Sequence, residues 1–351
     1  MKYRMLPGTG ISVSNLALGT MGFGTETEEA EAFRILDRFI EADGNLVDTS
    51  NVYGAGASEE LLGRWFASRP SSTTDRVVLA TKARFGTGPD ANEQGSSRRH
   101  LDRALHASLR RLQRNSIDLY QLHGWDPLTP VEETLNFLDD AVHAGKIQYV
   151  GLSNFTGWQL QLMLSTAKAM GVTVPVSLQQ QYNLVVREIE YEVVPAALHN
   201  GVGLLPWSPL GGGFLTGKYE KGGAAPSDSR AGAGNPMGER IFGGLTRKDQ
   251  NWAILDVVRA VAKEQHVTPT QVALSWVTNR PGVTAPIIGT KNLDQLEKNL
   301  LAGDLELGAE ATRRLDEVSA PTPDDYPYGP FGMKQRDRYV DSSAQAITEL
   351  F

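Results

Sequence analysis

No cysteine occurs in the 351 residues, which excludes disulfide cross-links and thiolate-held metal centres. A chain without cysteine suits a reducing compartment, and a cytoplasmic location is expected. No HExxH pair is present to hold a catalytic zinc, and no resident metal is expected. Long apolar runs are also missing: none approaches the roughly 20 residues that span a bilayer. The opening MKYRMLPGTGISVSN lacks the apolar core of a signal peptide. Neither sign of charge dominates. With 34 basic and 41 acidic residues and a net charge of −7, the chain offers no concentrated basic surface for nucleic acid. The basic string RRLQR that begins at Arg110 reads as a solvated helix face. No heptad run stands out, so the sequence specifies no oligomeric state.

What is present is an alternation. Short β-branched or apolar runs are each followed by an amphipathic stretch of helical period, eight times over. The strand candidates are LALGT, NLVDT, VVLAT, IDLYQL, IQYVGL, VSLQQ, VGLLPW and TAPIIG. Capping boxes are predicted at Thr25 with Glu28, Thr129 with Glu132, Thr156 with Gln159 and Thr268 with Gln271. Pro130 and Pro269 suit the first helical position. Continuous apolar strands separated by helices imply a parallel sheet covered on its faces. Closure into a (β/α)8 TIM barrel is the architecture that uses eight such units, and one such domain runs to about 250 residues or more. A single domain over 1–351 is expected, with a barrel core at about 11–320 and a C-terminal tail at 321–351.

Chemistry-bearing residues sit just beyond these apolar runs: Asp48, Tyr53, Lys82, His123 and Asn154. A tyrosine hydroxyl is a poor acid near neutrality. A neighbouring ammonium stabilises the phenolate and so makes the phenol a better proton donor. With Lys82 beside Tyr53 and its charge held by Asp48, Tyr53 can protonate a carbonyl oxygen that gains negative charge during reduction. His123 can orient that oxygen. A second chemistry for the same residues uses Lys82 as a Schiff-base amine.

The motifs LALGTMGFG, LVDTSNVYGAGASEELLG, ATK, IDLYQLHGWDP, GKIQYVGLSNF, LQQQYNLVVR, LPWSPLGGGFLTGKY and IIGTKNLDQLEKN together resemble the aldo-keto reductase family, from the opening LALGTMGFG to about Ala320. The resemblance implies that Asp48, Tyr53, Lys82 and His123 form a catalytic tetrad. It also implies a nicotinamide dinucleotide, usually NADPH, extended over the C-terminal mouth of the barrel. Ser153, Asn154 and Gln179 would meet the nicotinamide carboxamide, and Trp207 would stack beneath the ring. The resemblance also implies cofactor contacts from Thr20, Met21 and Asp48. Ser208, Leu210, Gly212 and Lys218, with Arg230 further on, would clamp the pyrophosphate. Gly289, Thr290, Lys291, Gln295 and Asn299 would take the adenosine half, with Lys291 on the 2′-phosphate. Where many relatives carry Arg, this chain has Lys291, and Lys298 replaces a common Glu. The same resemblance extends to cofactor-binding, redox-sensing β subunits of potassium channels, which is the alternative reading.

The stretch 222–246 is rich in Gly, Pro and Ser and reads as a long loop after the seventh strand, poised as a lid over the cofactor with Arg230 on phosphate. Met21, Phe23, Phe85 and Trp125 are candidates for an apolar substrate pocket. Such a mouth suits aromatic aldehydes, ketones or ketosugars. The tail residues Tyr326, Tyr328 and Phe331 either cover this mouth or pack on the barrel wall. The expected function is NADPH-dependent reduction of a small carbonyl compound, with no nucleic-acid or membrane partner.

Overall fold

A computed structural model of the chain describes residues 1–223, 226, 229 and 242–337. A two-stranded antiparallel hairpin comes first, β1 (Tyr3–Met5) with β2 (Ser12–Ser14). Eight parallel strands follow: β3 (Ala17–Gly19), β4 (Leu46–Asp48), β5 (Val78–Ala83), β6 (Ile117–Leu122), β7 (Ile147–Ser153), β8 (Ser177–Gln181), β9 (Gly203–Trp207) and β10 (Ile287–Gly289). Their order is β10-β3-β4-β5-β6-β7-β8-β9. The two ends of this sheet meet where Leu204 bridges Val283 in parallel, with Leu204 N–H donating to Gly282 O at 2.9 Å and Thr284 N–H to Leu204 O at 2.8 Å. The result is the nearly closed (β/α)8 barrel that the eight alternations predict.

Because strand side chains alternate between faces, each strand divides its residues between two environments. Ala17, Leu46, Val78, Ala80, Leu119, Leu205 and Ala285 form one apolar cluster inside the barrel. Leu18, Val47, Leu79, Tyr120, Leu178 and Leu204 belong to the larger cluster shared with the surrounding helices. One inward step further along, the apolar filling gives way to Asp48, Lys82, Gln121 and Gln179, all buried. The lower end is covered by the hairpin. Leu6 and Val13 are buried there, and a Cβ on Gly203 would stand 2.8 Å from Pro7 Cδ. The hairpin's strands are three residues each and lack an apolar run, so no sequence periodicity marks them.

The helices follow their amphipathic spacing. Glu29–Glu41 buries Ala32, Ile35, Leu36, Phe39 and Ile40 on one stripe, with acids in its first turn and Arg38 in its last. The capping boxes at Thr156/Gln159 and Thr268/Gln271 form, and Pro269 opens its helix. The other two do not. Thr25 donates its hydroxyl to Gly22 O at 3.2 Å inside a tight loop, and the helix begins only after Glu28. Thr129 donates instead to Asp126 Oδ2 at 2.7 Å, so Pro130 occupies the cap position of Val131–His143 rather than its first turn. The RRLQR face is not simply solvated either. Arg111 donates from Nε to the wholly buried Glu59 at 2.8 Å, and Arg114 lies 4.9 Å over the Phe66 ring. No helix among the described residues is long and apolar enough to cross a membrane.

Candidate active site

At the C-terminal ends of β4 and β5, Asp48 and Lys82 form a buried ion pair. Lys82 Nζ donates to Asp48 Oδ2 at 2.6 Å, to Thr49 O at 2.7 Å and to Tyr53 OH at 3.1 Å. Those three bonds use the full donor capacity of an ammonium. Burial alone would strip the Lys82 proton, but the Asp48 carboxylate and the Tyr53 phenol outweigh it and hold the amine above its ordinary value. A lysine held as an ammonium is no nucleophile, so the Schiff-base chemistry has no support here.

The other oxygen of Asp48 is held by two amides, Gln121 Nε2 at 3.1 Å and Gln179 Nε2 at 2.9 Å, and Gln179 also donates to Gln121 Oε1 at 3.2 Å. Gly151 makes this possible, since a Cβ there would stand 2.8 Å from Gln121 Cγ and 2.5 Å from Ser177 Oγ. Gln121 was not among the residues singled out from sequence. Its signal was a polar residue at an inward position of the otherwise apolar run IDLYQL.

His123 follows β6, fixed by its N–H to Ala83 O at 2.9 Å. Its ring meets Tyr53 edge-on, with centroids 5.8 Å apart, and Nδ1 shares a 3.0 Å hydrogen bond with Ser50 Oγ, another residue the sequence did not mark. Burial first, then the positive charges of Lys82 and Arg84, drives the imidazole well below its usual pKa. The ring is therefore neutral at physiological pH. Tyr53 itself opens a tight turn in which Ala55 takes a positive φ of 54°. Asp48, Tyr53, Lys82 and His123 thus converge at one end of the barrel.

Asn154 has a positive φ of 58°, a conformation Asn tolerates better than most residues. Its amide donates to His123 O at 3.0 Å and accepts from Trp207 Nε1 at 3.1 Å, linking β6, β7 and β9 across the mouth. Ser153 is buried beside it. Beyond Trp207, Ser208 Oγ accepts from Gly212 N–H at 3.0 Å. Gly211, Gly212, Gly213 and Gly217 all have positive φ. A Cβ on Gly212 would collide with the Phe242 ring, and one on Gly213 would stand 3.5 Å from Lys218 Cε. This segment is a bare-backbone turn with a lysine alongside, which suits a phosphate chain. Leu210 packs against the core.

After β10, Gly289 is exposed and Thr290 is buried, its hydroxyl donating to Asn292 O at 2.7 Å. Asn292 caps the helix Leu293–Leu300, and Gln295 Oε1 accepts from Lys291 N–H at 2.9 Å. Lys291 Nζ pairs with Glu26 at 2.9 Å. Asn299 is buried on the same helix. Two more of the expected site residues are wholly buried. Thr20 is wholly buried, its hydroxyl bonded to Asp48 O at 3.0 Å and shared with Ser58, so its side chain supports β4. Phe23 is wholly buried in the core with Leu16 and Leu18, because residues 22–27 fold back inward. It cannot line a substrate pocket.

Met21 and Phe85 are exposed, and Phe85 lies 4.6 Å from the His123 ring. Trp125 packs edge-on against Phe155 and against the exposed Trp158, both at 5.5 Å, extending the aromatic rim. Tyr328 stacks on Tyr191 at 4.9 Å and bonds Glu192, so this part of the tail packs against the connection that follows β8. Arg230 and most of the 222–246 stretch lie outside the described residues.

Comparison with known proteins accords with this geometry. The chain is 36% identical over 327 residues to a Bacillus subtilis (strain 168) protein named "Uncharacterized oxidoreductase YrpG", covering 91% of this chain and 96% of that one. It is 32% identical over 307 residues to an Arabidopsis thaliana "Probable voltage-gated potassium channel subunit beta", covering 87% and 92%. It is 30% identical over 350 residues to an "Aryl-alcohol dehydrogenase [NADP(+)]" of Phanerodontia chrysosporium, covering 94% and 88%. A family profile matches residues 15–320, and with it a general chemistry of carbonyl reduction and a general reliance on nicotinamide cofactors: this chain belongs to the aldo/keto reductase family.

Proposed function

We propose that this protein reduces an aldehyde or ketone to an alcohol with NADPH, and that Tyr53 donates the proton. The observation that carries the reading is the 3.1 Å bond from the Lys82 ammonium to the Tyr53 oxygen, made while Asp48 holds the same ammonium at 2.6 Å. When a carbonyl oxygen takes the Tyr53 proton, the negative charge left on the phenol is stabilised by Lys82 in a buried, low-dielectric setting. Neutral His123 holds the carbonyl oxygen in line with that proton. When bound, NADPH would supply a hydride for the carbonyl carbon. Hydride on carbon and proton on oxygen complete the alcohol, and the phenol is restored by a proton from water.

The residues fit such a cofactor. Ser153, Asn154 and Gln179 cluster at adjoining strand ends, where Asn154 also fixes Trp207. The glycine turn with Ser208, Gly212 and Lys218 would hold the pyrophosphate. Gly289, Thr290, Lys291 and Asn299 would take the adenosine end, and Met21 would contribute from β3. Gln295 acts through the cap of its helix. A preference for NADPH over NADH rests on Lys291, whose charge is shared with Glu26.

A second reading, a redox-sensing subunit with little turnover, is favoured by the potassium-channel relative. NADPH oxidation against a panel of aldehydes, ketones and ketosugars, run with fluorescence titration of NADPH and NADH, separates the two. Substrate-dependent oxidation supports the reductase; tight cofactor binding with no turnover supports the sensor.

A further inference from the structure

Arg84 stands two residues beyond Lys82, just past the end of β5. The β5–β6 register pairs Lys82 with Gln121 and Ala83 with Leu122, and its continuation sets Arg84 beside His123. The Arg84 backbone has φ 141°, a region that L side chains rarely adopt and that costs free energy outside glycine. It is held there by Gly95 N–H, which donates to Arg84 O at 2.8 Å. Glycine would relieve the strain, so the side chain must supply what the backbone conformation costs.

Among the described residues that side chain has no direct ion-pair partner, and its Nε is buried and makes no hydrogen bond. The guanidinium lies 5.3 Å over the Phe85 ring, whose centroid is 4.6 Å from that of His123. Asp126 is an acid electrostatically coupled to Arg84. Its carboxylate is already occupied by Ser96 N–H at 2.7 Å, Leu128 N–H at 3.0 Å and the Thr129 hydroxyl at 2.7 Å. The two Nη groups are not among the buried atoms and make no hydrogen bond among the described residues, so a planar oxyanion can meet them with a two-pronged, charge-assisted bond.

We propose that Arg84 is the receptor for a carboxylate carried by the carbonyl substrate, so that the substrates are monoanionic oxo acids. This rests on the reductase reading above and names its substrate class. The Asp126 charge nearby limits the anion to a single negative charge and disfavours a phosphate dianion. With the Phe85 ring in contact with both the Arg84 guanidinium and the His123 ring, a spacer of about the size of a benzene ring is the one that would let a carbonyl reach His123 while its carboxylate meets Arg84. An aromatic rim then holds the spacer while the two polar ends are fixed.

The test compares 4-carboxybenzaldehyde with its neutral isostere 4-formylbenzamide in NADPH oxidation by wild type, Arg84→Gln and Arg84→Lys. Wild type should favour the carboxylate through a lower KM. Arg84→Gln should lose about 10- to 100-fold in kcat/KM on the carboxylate, the scale of a charge-assisted bond, and far less on the amide. Arg84→Lys should keep part of the preference, because it keeps the charge and loses the fork. The amide serves as the internal control for folding. Equal kcat/KM for the two substrates in wild type, or an equal loss on both in Arg84→Gln, overturns the proposal. Calorimetric titration with 4-methylbenzoate against 4-methylbenzamide gives a readout apart from turnover. Benzoate binding that Arg84→Gln abolishes supports the receptor even if no carbonyl is reduced, in which case only the reductase reading falls. Equal binding of benzoate and benzamide contradicts the receptor.

Discussion

Tyr182 and Tyr53 each sit beside a cation and an acid, with opposite consequences. Tyr182, after β8, is 2% exposed and donates its hydroxyl to Glu190 Oε1 at 2.6 Å, while Arg280 Nε donates to the phenol oxygen at 3.3 Å. Burial, and then the Glu190 charge, pushes its pKa far up, so the proton is locked in place. The rest of that network is saturated: Arg187 binds Glu190 and Ser319, and Arg280 and the Trp276 indole bind Asp316. At Tyr53 the acid acts at one remove. Asp48 faces the ammonium, and the ammonium faces the phenol oxygen. A carboxylate that accepts from a phenol holds its proton; an ammonium that donates to the phenol oxygen favours the proton's departure. The order of charges, rather than their presence, separates a structural tyrosine from one suited to acid chemistry.

The contrast breaks most visibly if the charge order is altered. Lys82→Met should lower turnover by about 1000-fold or more, above the lower end of the usual range for losing a general acid, because it also leaves Asp48 buried without its cation. Urea unfolding of the same variant should show a loss of about 3–5 kcal/mol, the cost of removing one partner from a buried pair. Retained turnover would mean that the ammonium does not assist Tyr53.

Tyr182→Phe should do the reverse. Stability should fall by about 1–3 kcal/mol as Glu190 and Arg280 lose a partner, while kcat of the folded protein stays within about twofold. A large kcat defect would join the two networks and undo the comparison.

His123 sharpens the electrostatic side. Its pKa is depressed in the fold, so the unfolded chain binds the proton more readily. Stability from this residue is therefore complete above the ordinary value of 6.5 and declines as pH falls below it. Thermal melts from pH 8 to 5 should show this acid-side loss, and His123→Asn should flatten it. An unchanged pH slope in the variant would contradict the burial of a neutral imidazole.

The smallest effect is expected at the adenosine end. Glu26→Gln should tighten NADPH by about 3- to 10-fold with NADH unaffected, since Lys291 would no longer share its charge at a half-exposed pair. Titration of both cofactors checks it.

Much of this was legible in the sequence where periodicity and chemistry act locally. The eight parallel strands follow from apolar runs, and the Thr156 and Thr268 boxes from contacts three residues apart. Asp48, Tyr53, Lys82 and His123 were visible because a strand end is readable and these residue types are rare there. What stayed hidden depends on partners distant in the chain. Thr129 was diverted by Asp126, Arg111 was drawn inward by Glu59 52 residues away, and Phe23 was buried by a loop that folds back. Gln121 and Ser50 became meaningful only when register set them against Asp48 and His123. Arg84 looks like one more surface arginine until its backbone angle and its missing partner are seen.

The central claim is that Tyr53 gives the proton under the influence of Lys82. Single-turnover reduction of an accepted carbonyl substrate by the NADPH-loaded protein, wild type against Tyr53→Phe, with NADPH affinity measured on both, addresses it directly. The account predicts unchanged NADPH affinity and a rate at least about 100-fold lower in the variant. An unchanged rate in Tyr53→Phe would contradict it and leave the phenol a structural partner of Lys82.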